Sequence, residues 1–311
     1  MNESAGRDIE DRVVMYIAPS PTFVEEIFAA FHRKYPGVET ECVHGPAARF
    51  LDRVISEMEK GENKADIMLL NRQQAEVLKI KGFIEKYASP EGATFPKRAR
   101  DAYGTQVLIK PFSVAYNTEK VSPRELPARY EDLLLPRWKG KLLYPDPQTS
   151  GSGSGWYAVM KDYLGEDFFR RLAGQDLTCL HDPEKKLAEG RHSIIVAGMV
   201  DRIEKMKAEG APVDWLPMPV MWFAGPFAVL FRGAKHPNAG KRLIDLFLSA
   251  EGQQIVSRFG FLPNRPGVTV DKTQKAIQEK LKGLKLVSFK ASHGRQYFKN
   301  HADLLRLFAP L

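Results

Sequence analysis

Cysteine is scarce in this chain: Cys42 and Cys179 are the two in 311 residues. That excludes a disulfide framework, although a single bridge stays open in an oxidising compartment. Each follows a strand-like segment and reads as a small, partly buried hydrophobe. No run of about 18 apolar residues occurs, so the sequence holds no membrane-spanning helix. The first residues, MNESAGRDIEDR, are acidic and polar and lack an apolar h-region. They fit either a cytoplasmic chain or one whose signal peptide has been removed. Zinc-finger spacing, an RNP-like motif and basic patches interleaved with aromatics are all missing, which argues against a nucleic-acid partner. No P-loop appears, and no Ser/His/Asp or Cys/His set stands at readable spacing, so the expectation is no catalytic residue and no cofactor. The first strand comes almost at once, leaving no room for a helix-turn-helix ahead of a regulator's ligand domain.

What is present is an ordinary globular composition, 43% hydrophobic and 27% charged. The length allows two lobes with real cores. The net charge of +8 suits an anionic partner, whether a small solute, a membrane surface or nucleic acid. The basic residues are scattered, with mild clusters over 97–100, 137–141 and 272–290, which also fits a solvated basic surface.

The hydrophobic pattern alternates strand and helix. Arg12–Ile17 reads as a buried strand. A helix is expected over Phe23–Tyr35, with Val24, Ile27, Phe28 and Phe31 at helical spacing, Thr22 as cap and Glu25 three residues on. Val38–Val43 alternates as a strand, Ala47–Lys60 is a helix, Ala65–Leu70 a strand and Gln73–Lys81 a helix. This β-α-β-α-β-α opening predicts a parallel sheet with flanking helices. The pattern returns after residue 140. Asp162–Gln175, Pro183–Glu189 and Val200–Glu209 are predicted helices, the second capped by Asp182. Leu177–Leu180 and Ile194–Ala197 are predicted strands. Two extended apolar segments, Val107–Tyr116 and Phe227–Phe231, lie at the seams and read as a hinge between two α/β lobes. A ligand then touches the loops at strand carboxyl ends.

The stretch Tyr130–Met160 is the most informative. A Trp-centred basic turn leads into the apolar strand Leu142–Tyr144, then a Pro-rich exit, the Ser/Gly run Ser150–Gly155, and an amphipathic helix from Trp156. A strand, a small-residue loop and a helix start make an anion cradle: the first helical N–H groups lack partners, glycine lets an anion approach, and serine adds donors. The alternative is a flexible Gly/Ser linker. The run matches neither G-x-G-x-x-G nor the nucleophile elbow, because Trp156 and Gly153 stand where those patterns need other residues.

Taken in order, VVMYIAPSP, ADIMLLN, SVAYNTEKV, YEDLLLPRWKGKLLYPDPQTSGS, LAEGRHSIIVA and FAVLFRGAKHPNAGKRLIDLFLSAEGQQIVSRFGFLPNRPGV resemble the periplasmic solute-binding proteins of ABC importers. The subgroup is the one that holds ferric-binding proteins and their organic-ligand relatives, and the likeness covers roughly residues 12 to 270. It implies an α/β, two-lobed Venus-flytrap fold with two crossover strands. Lobe 1 is expected at 12–110 plus 232–270, lobe 2 at 111–231, and a helical tail at 271–311. It also implies a monomer without catalysis, a periplasmic location with the signal peptide absent, and delivery of a solute to a membrane permease or a membrane sensor kinase. Iron-binding relatives use adjacent tyrosines that would fall in IVAGMVD, residues 195–201, where this chain has none. A hard ferric ion wants phenolate or carboxylate oxygens, and His44 and His181 have no partner at ligand spacing, so no metal site is expected. The resemblance points instead to a small anionic solute, phosphorylated, phosphonate or carboxylate. The expected ligand residues are Thr149, Ser150, Gly151, Ser152 and Gly153, with Ser20, His44 and Asn71 from the other lobe and Trp222 for the organic part. Arg49 and Arg191 are further candidates as counter-charges.

Overall fold

The computed structural model describes residues 9–17, 21–44 and 47–308, without the side chains of residues 47–49, 291 and 297. In chain order the elements are β1 Arg12–Ile17, α1 Pro21–Lys34, β2 Glu39–His44, α2 Ala47–Glu59, β3 Ile67–Asn71 and α3 Arg72–Ile80. Next come β4 Arg100–Asp101, β5 Gly104–Gln106, β6 Leu108–Asn117, β7 Leu142–Pro145, α4 Gly151–Ala173, β8 Thr178–Leu180 and α5 Pro183–Ala188. They are followed by β9 Ile194–Met199, α6 Val200–Ala208, β10 Val213–Trp215, β11 Val220–Ala224 and β12 Pro226–Leu230. The chain closes with α7 Pro237–Leu248, α8 Ala250–Arg258, β13 Leu262–Pro263, α9 Lys272–Leu281, β14 Lys285–Val287, α10 Ala291–Arg295 and α11 Tyr297–Phe308. Unit 1 runs to Ile109 and resumes over Gly225–Asp271; unit 2 is Lys110–Ala224 with Lys272–Leu311.

Unit 1 is built on a sheet of order β2-β1-β3-β12-β5-β4, with β1, β2 and β3 parallel. Strand β1 is buried along nearly its whole length, as its continuous apolar run requires of a central parallel strand. Val13, Met15 and Ile17 pack with Phe23, Ile27 and Phe31 of α1 and with Leu243 and Phe247 of α7. Helix α1 starts at Pro21, two residues before the expected start, since proline fits the first helical position. Thr22 therefore lies inside the first turn rather than capping it. Ser20 lies outside the described residues.

The expected lobe 1 took up the chain again at residue 232. The structure places this exchange between Ala224 and Gly225, because β12 pairs antiparallel with β3 (Phe227 opposite Leu70) and with β5 (Phe227 opposite Gln106). At Gly225 a Cβ would stand 1.9 Å from the Leu108 carbonyl oxygen, so no other residue fits there. A third exchange, between Asp271 and Lys272, gives the tail to unit 2.

Unit 2 has a sheet of order β14-β11-β6-β9-β7-β8, with β10 also beside β6. Strand β7 is parallel to β8 and β9, while β6 is antiparallel to β9 and to β11. The buried aromatics Trp156, Tyr144 and Phe169 interlock edge to face, with Trp156 5.9 Å from Tyr144 and 5.5 Å from Phe169. Burying each such ring is worth about 1.5–3 kcal/mol. The tail is not wholly helical: Lys285–Val287 forms β14 beside β11, and Phe308 of α11 stacks edge to face on Tyr144 at 4.8 Å.

Helix α4 begins at Gly151, five residues before the expected Trp156, and breaks at Gly165, whose φ is 76°. Ser150 is the cap, and its hydroxyl accepts from the Ser152 N–H. Asp182 precedes α5 as expected but does not cap it; its carboxylate pairs with Arg202 at 2.7 Å.

Candidate functional site

The strand directions gather the expected residues at one edge of each sheet. In unit 1, Ile17 is opposite His44 and Leu69, and Asn71 is opposite Pro226. His44 and Asn71 therefore share the edge where parallel β1, β2 and β3 end. His44 is exposed there. Asn71 is the cap of α3, its Oδ1 accepting from the Gln74 N–H at 2.9 Å. Arg72 follows; it stacks over the Phe227 ring at 4.1 Å and pairs with Asp101 at 2.6 Å and Glu76 at 3.2 Å. In the first turn of α3 the amide nitrogen of Gln73 is buried with no hydrogen-bond partner.

In unit 2, β7 and β9 run parallel, so Pro145 and Met199 end on the same edge. Phe112 is opposite Met199 and Lys110 opposite Ala224, so that edge also holds the start of β6 and the end of β11. The β7 exit is a tight turn around Asp146. Its carboxylate accepts from the Gln148 N–H at 2.9 Å and the Thr149 hydroxyl at 2.7 Å, and its carbonyl from the Ser150 N–H at 2.8 Å. The turn delivers Ser150 to the helix cap, with its hydroxyl 2.6 Å from that of Ser152. Thr149 and Gly151 are exposed, and Ser150 and Ser152 half-buried. These groups surround the positive end of α4.

Gly153 is buried, and its role differs from an open approach path for an anion. A Cβ on it would stand 2.1 Å from the Pro145 carbonyl oxygen, and its own carbonyl accepts from the Tyr144 hydroxyl at 2.8 Å. It lets α4 start hard against β7. Asp146 places a carboxylate next to the cradle, which opposes an anion, but both its oxygens are tied into the turn. Trp222 does not stand open as a wall. It is 5% exposed and stacks on Phe112 at 4.6 Å, yet its indole nitrogen has no partner. Arg191 is exposed, and the Arg49 side chain lies outside the described residues.

Two charged groups on the unit 2 edge escaped the sequence reading. Continuing the β6–β9 register from Phe112 opposite Met199 by two residues brings Lys110 level with Asp201, in the first turn of α6. Both are half-buried. Burial pushes the Lys110 ammonium down and the Asp201 carboxyl up, and each charge pulls the other back toward its ionised form. Asp201 Oδ1 is buried with no hydrogen-bond partner. Nearby, Glu184 accepts from the Met199 N–H at 2.9 Å, and burial raises its pKa. The signal for Lys110 was legible: a lone charge inside the apolar run Gln106–Asn117. Asp201 closes the apolar stretch from Ile194 in the same way.

Comparison with known proteins accords with this geometry. Residues 62–285 match the model of a family described as bacterial extracellular solute-binding protein. The chain belongs to that family. Among its relatives is an uncharacterized protein of Haemophilus influenzae, 25% identical over 276 residues, covering 83% of this chain and 78% of the relative. Its fold matches that of the periplasmic binding protein AfuA from Actinobacillus pleuropneumoniae, solved with exogenous fructose-6-phosphate bound. That match has a TM-score of 0.80 and 19% identity, covering 96% of this chain and 99% of the other. It also matches iron-bound HitA from Pseudomonas aeruginosa, with a TM-score of 0.78 and 17% identity, covering 95% and 99%. The chain is thus an extracellular solute-binding protein, and its fold is that of the periplasmic binding proteins it matches. It is a binding protein rather than an enzyme.

Proposed function

We propose that the solute is a small organic anion, phosphorylated, phosphonate or carboxylate. Its anionic group is received at the start of α4 by Thr149, Ser150, Gly151 and Ser152, with Gly153 holding the helix end in place. The observation that carries this reading is a capped helix N-terminus at the carboxyl edge of the unit 2 sheet, with three hydroxyls around it. Neutral donors bind an anion well where water is scarce, because such hydrogen bonds are charge-assisted. Two facts support the reading: the +8 net charge, and a relative of like fold that was solved with a sugar phosphate bound. Trp222 is proposed to border the organic part of the solute.

The test is titration calorimetry with inorganic phosphate, a hexose phosphate, citrate and ferric citrate, on the wild type and on Ser152→Ala. One anion per chain and weaker binding by the variant support the proposal. Uptake of iron alone, unchanged in Ser152→Ala, contradicts it.

A further inference from the structure

Asp201 Oδ1 and the Trp222 indole nitrogen belong to the unit 2 edge, and neither has a hydrogen-bond partner among the described residues. Leaving a buried polar atom unsatisfied is costly, so a pair of them on a binding edge points to a ligand that completes them. The atoms differ in kind. The carboxylate oxygen accepts, and the indole N–H donates. Lys110, level with Asp201, also donates. Trp222 is opposite Phe112 in the sheet and Lys110 opposite Ala224, so Trp222 lies one row along the same face from Lys110.

This mixture selects among ligand groups. An ammonium offers donors to Asp201 but meets the charge of Lys110. A second phosphate or carboxylate satisfies Lys110 and the indole but meets the charge of Asp201. A hydroxyl both donates and accepts, and carries no charge that either residue repels. Adjacent hydroxyls on one carbon frame let Asp201 be satisfied beside the charge of Lys110.

The spacing suits such a frame. Strand β9 lies between β7 and β6. With strands about 4.8 Å apart, Asp201 stands roughly 5 Å and Lys110 roughly 10 Å across the sheet from the β7 exit that carries the cradle. A sugar ring or its open chain spans that interval, with the anionic group at one end.

We propose that Lys110, Asp201 and Trp222 form a hydroxyl-recognising pole and that the solute is a polyhydroxylated phosphate of sugar type. This inference rests on the anion reading above. Calorimetry separates the two, using inorganic phosphate, a hexose 6-phosphate and 2-aminoethylphosphonate as probes.

In the wild type the hexose 6-phosphate is expected to bind at least tenfold more tightly than either other probe. Asp201→Asn and Lys110→Met should each weaken it about 10- to 100-fold, the range of a hydrogen bond to a charged group, and leave inorganic phosphate within about twofold. Ser152→Ala should weaken both phosphates together. If the two pole variants bind the hexose phosphate as the wild type does, the hydroxyl pole is overturned and the cradle stands. Tighter binding of the aminophosphonate than of the sugar phosphate also overturns it. Failure of all three probes overturns this inference, and failure of citrate as well overturns the anion reading. Melting curves without ligand confirm that each variant is folded.

Discussion

In unit 1 the parallel edge meets α3, and in unit 2 it meets α4. Each helix is capped by the side chain just before it: Asn71 accepts from Gln74, and Ser150 from Ser152. Beyond the caps the edges differ. Arg72 of unit 1 is paired with Asp101 and Glu76 and lies on Phe227, so its charge is neutralised locally. Among the atoms left over in that turn is a neutral amide donor on Gln73. In unit 2 the edge keeps a charged acceptor, Asp201 Oδ1, and an indole donor, Trp222, without hydrogen-bond partners among the described residues. The same strand-to-helix corner can thus be closed by the protein's own groups or left for a solute to close. On the proposal above, the difference gives chemical selection to unit 2.

The comparison can be broken first at Gly153. A Cβ there meets the Pro145 carbonyl, which is backbone and cannot rotate away. Gly153→Ala is expected to destabilise unit 2 by about 3 kcal/mol, the upper range for overpacking, and to displace the cradle. Denaturant unfolding and phosphate titration would show both losses; a stable, binding-competent variant would mean that α4 starts elsewhere.

A smaller effect concerns the Lys110–Asp201 pair. Removing one partner leaves the other half-buried and uncompensated, so Asp201→Asn should lower stability by roughly 1–3 kcal/mol. The double variant Lys110→Met with Asp201→Asn should recover most of that stability while still failing to bind a hexose phosphate. A purely structural pair would show no link to binding.

The caps give a cleaner contrast at about 1 kcal/mol each. Ser150→Ala and Asn71→Ala should cost similar stability, since each removes one helix-cap hydrogen bond. Ser150→Ala alone should weaken inorganic phosphate strongly. Equal losses of phosphate affinity in both would erase the distinction between the edges.

The smallest effect is in pH. Asp214 accepts from Lys207 at 2.6 Å and from the Trp215 N–H at 2.8 Å. Its burial opposes ionisation, but these bonds and Lys280 hold its carboxyl below the usual range. Its folded pKa is depressed, so its stabilisation is fully present above about pH 4 and is lost as pH falls below that. Asp214→Asn should therefore unfold with less change between about pH 4 and pH 2 than the wild type, as followed by circular dichroism.

Much of unit 1 was legible because its elements are local. The apolar run of β1 and the helical spacing of Val24, Ile27 and Phe31 declare themselves within a few residues. The edge of β12 was not, since its place depends on Phe227 meeting Leu70, far away in sequence. Strand β14 is three residues in a Lys-rich tail and carries no alternation long enough to read. The cradle is visible as composition, but the helix start at Gly151 is not, because glycines look like loop. Packing against Pro145 is what allows Gly153 into a helix. Lys110 and Asp201 were each visible as a lone charge ending or interrupting an apolar run. Their meeting is a matter of register between β6 and β9, which no single stretch of sequence contains.

Native mass spectrometry of the gently purified protein, with metal analysis on the same sample, tests the central claim most directly. The account predicts one small organic molecule per chain that fragments to phosphate and carries several hydroxyls. Stoichiometric iron without such a molecule would contradict it.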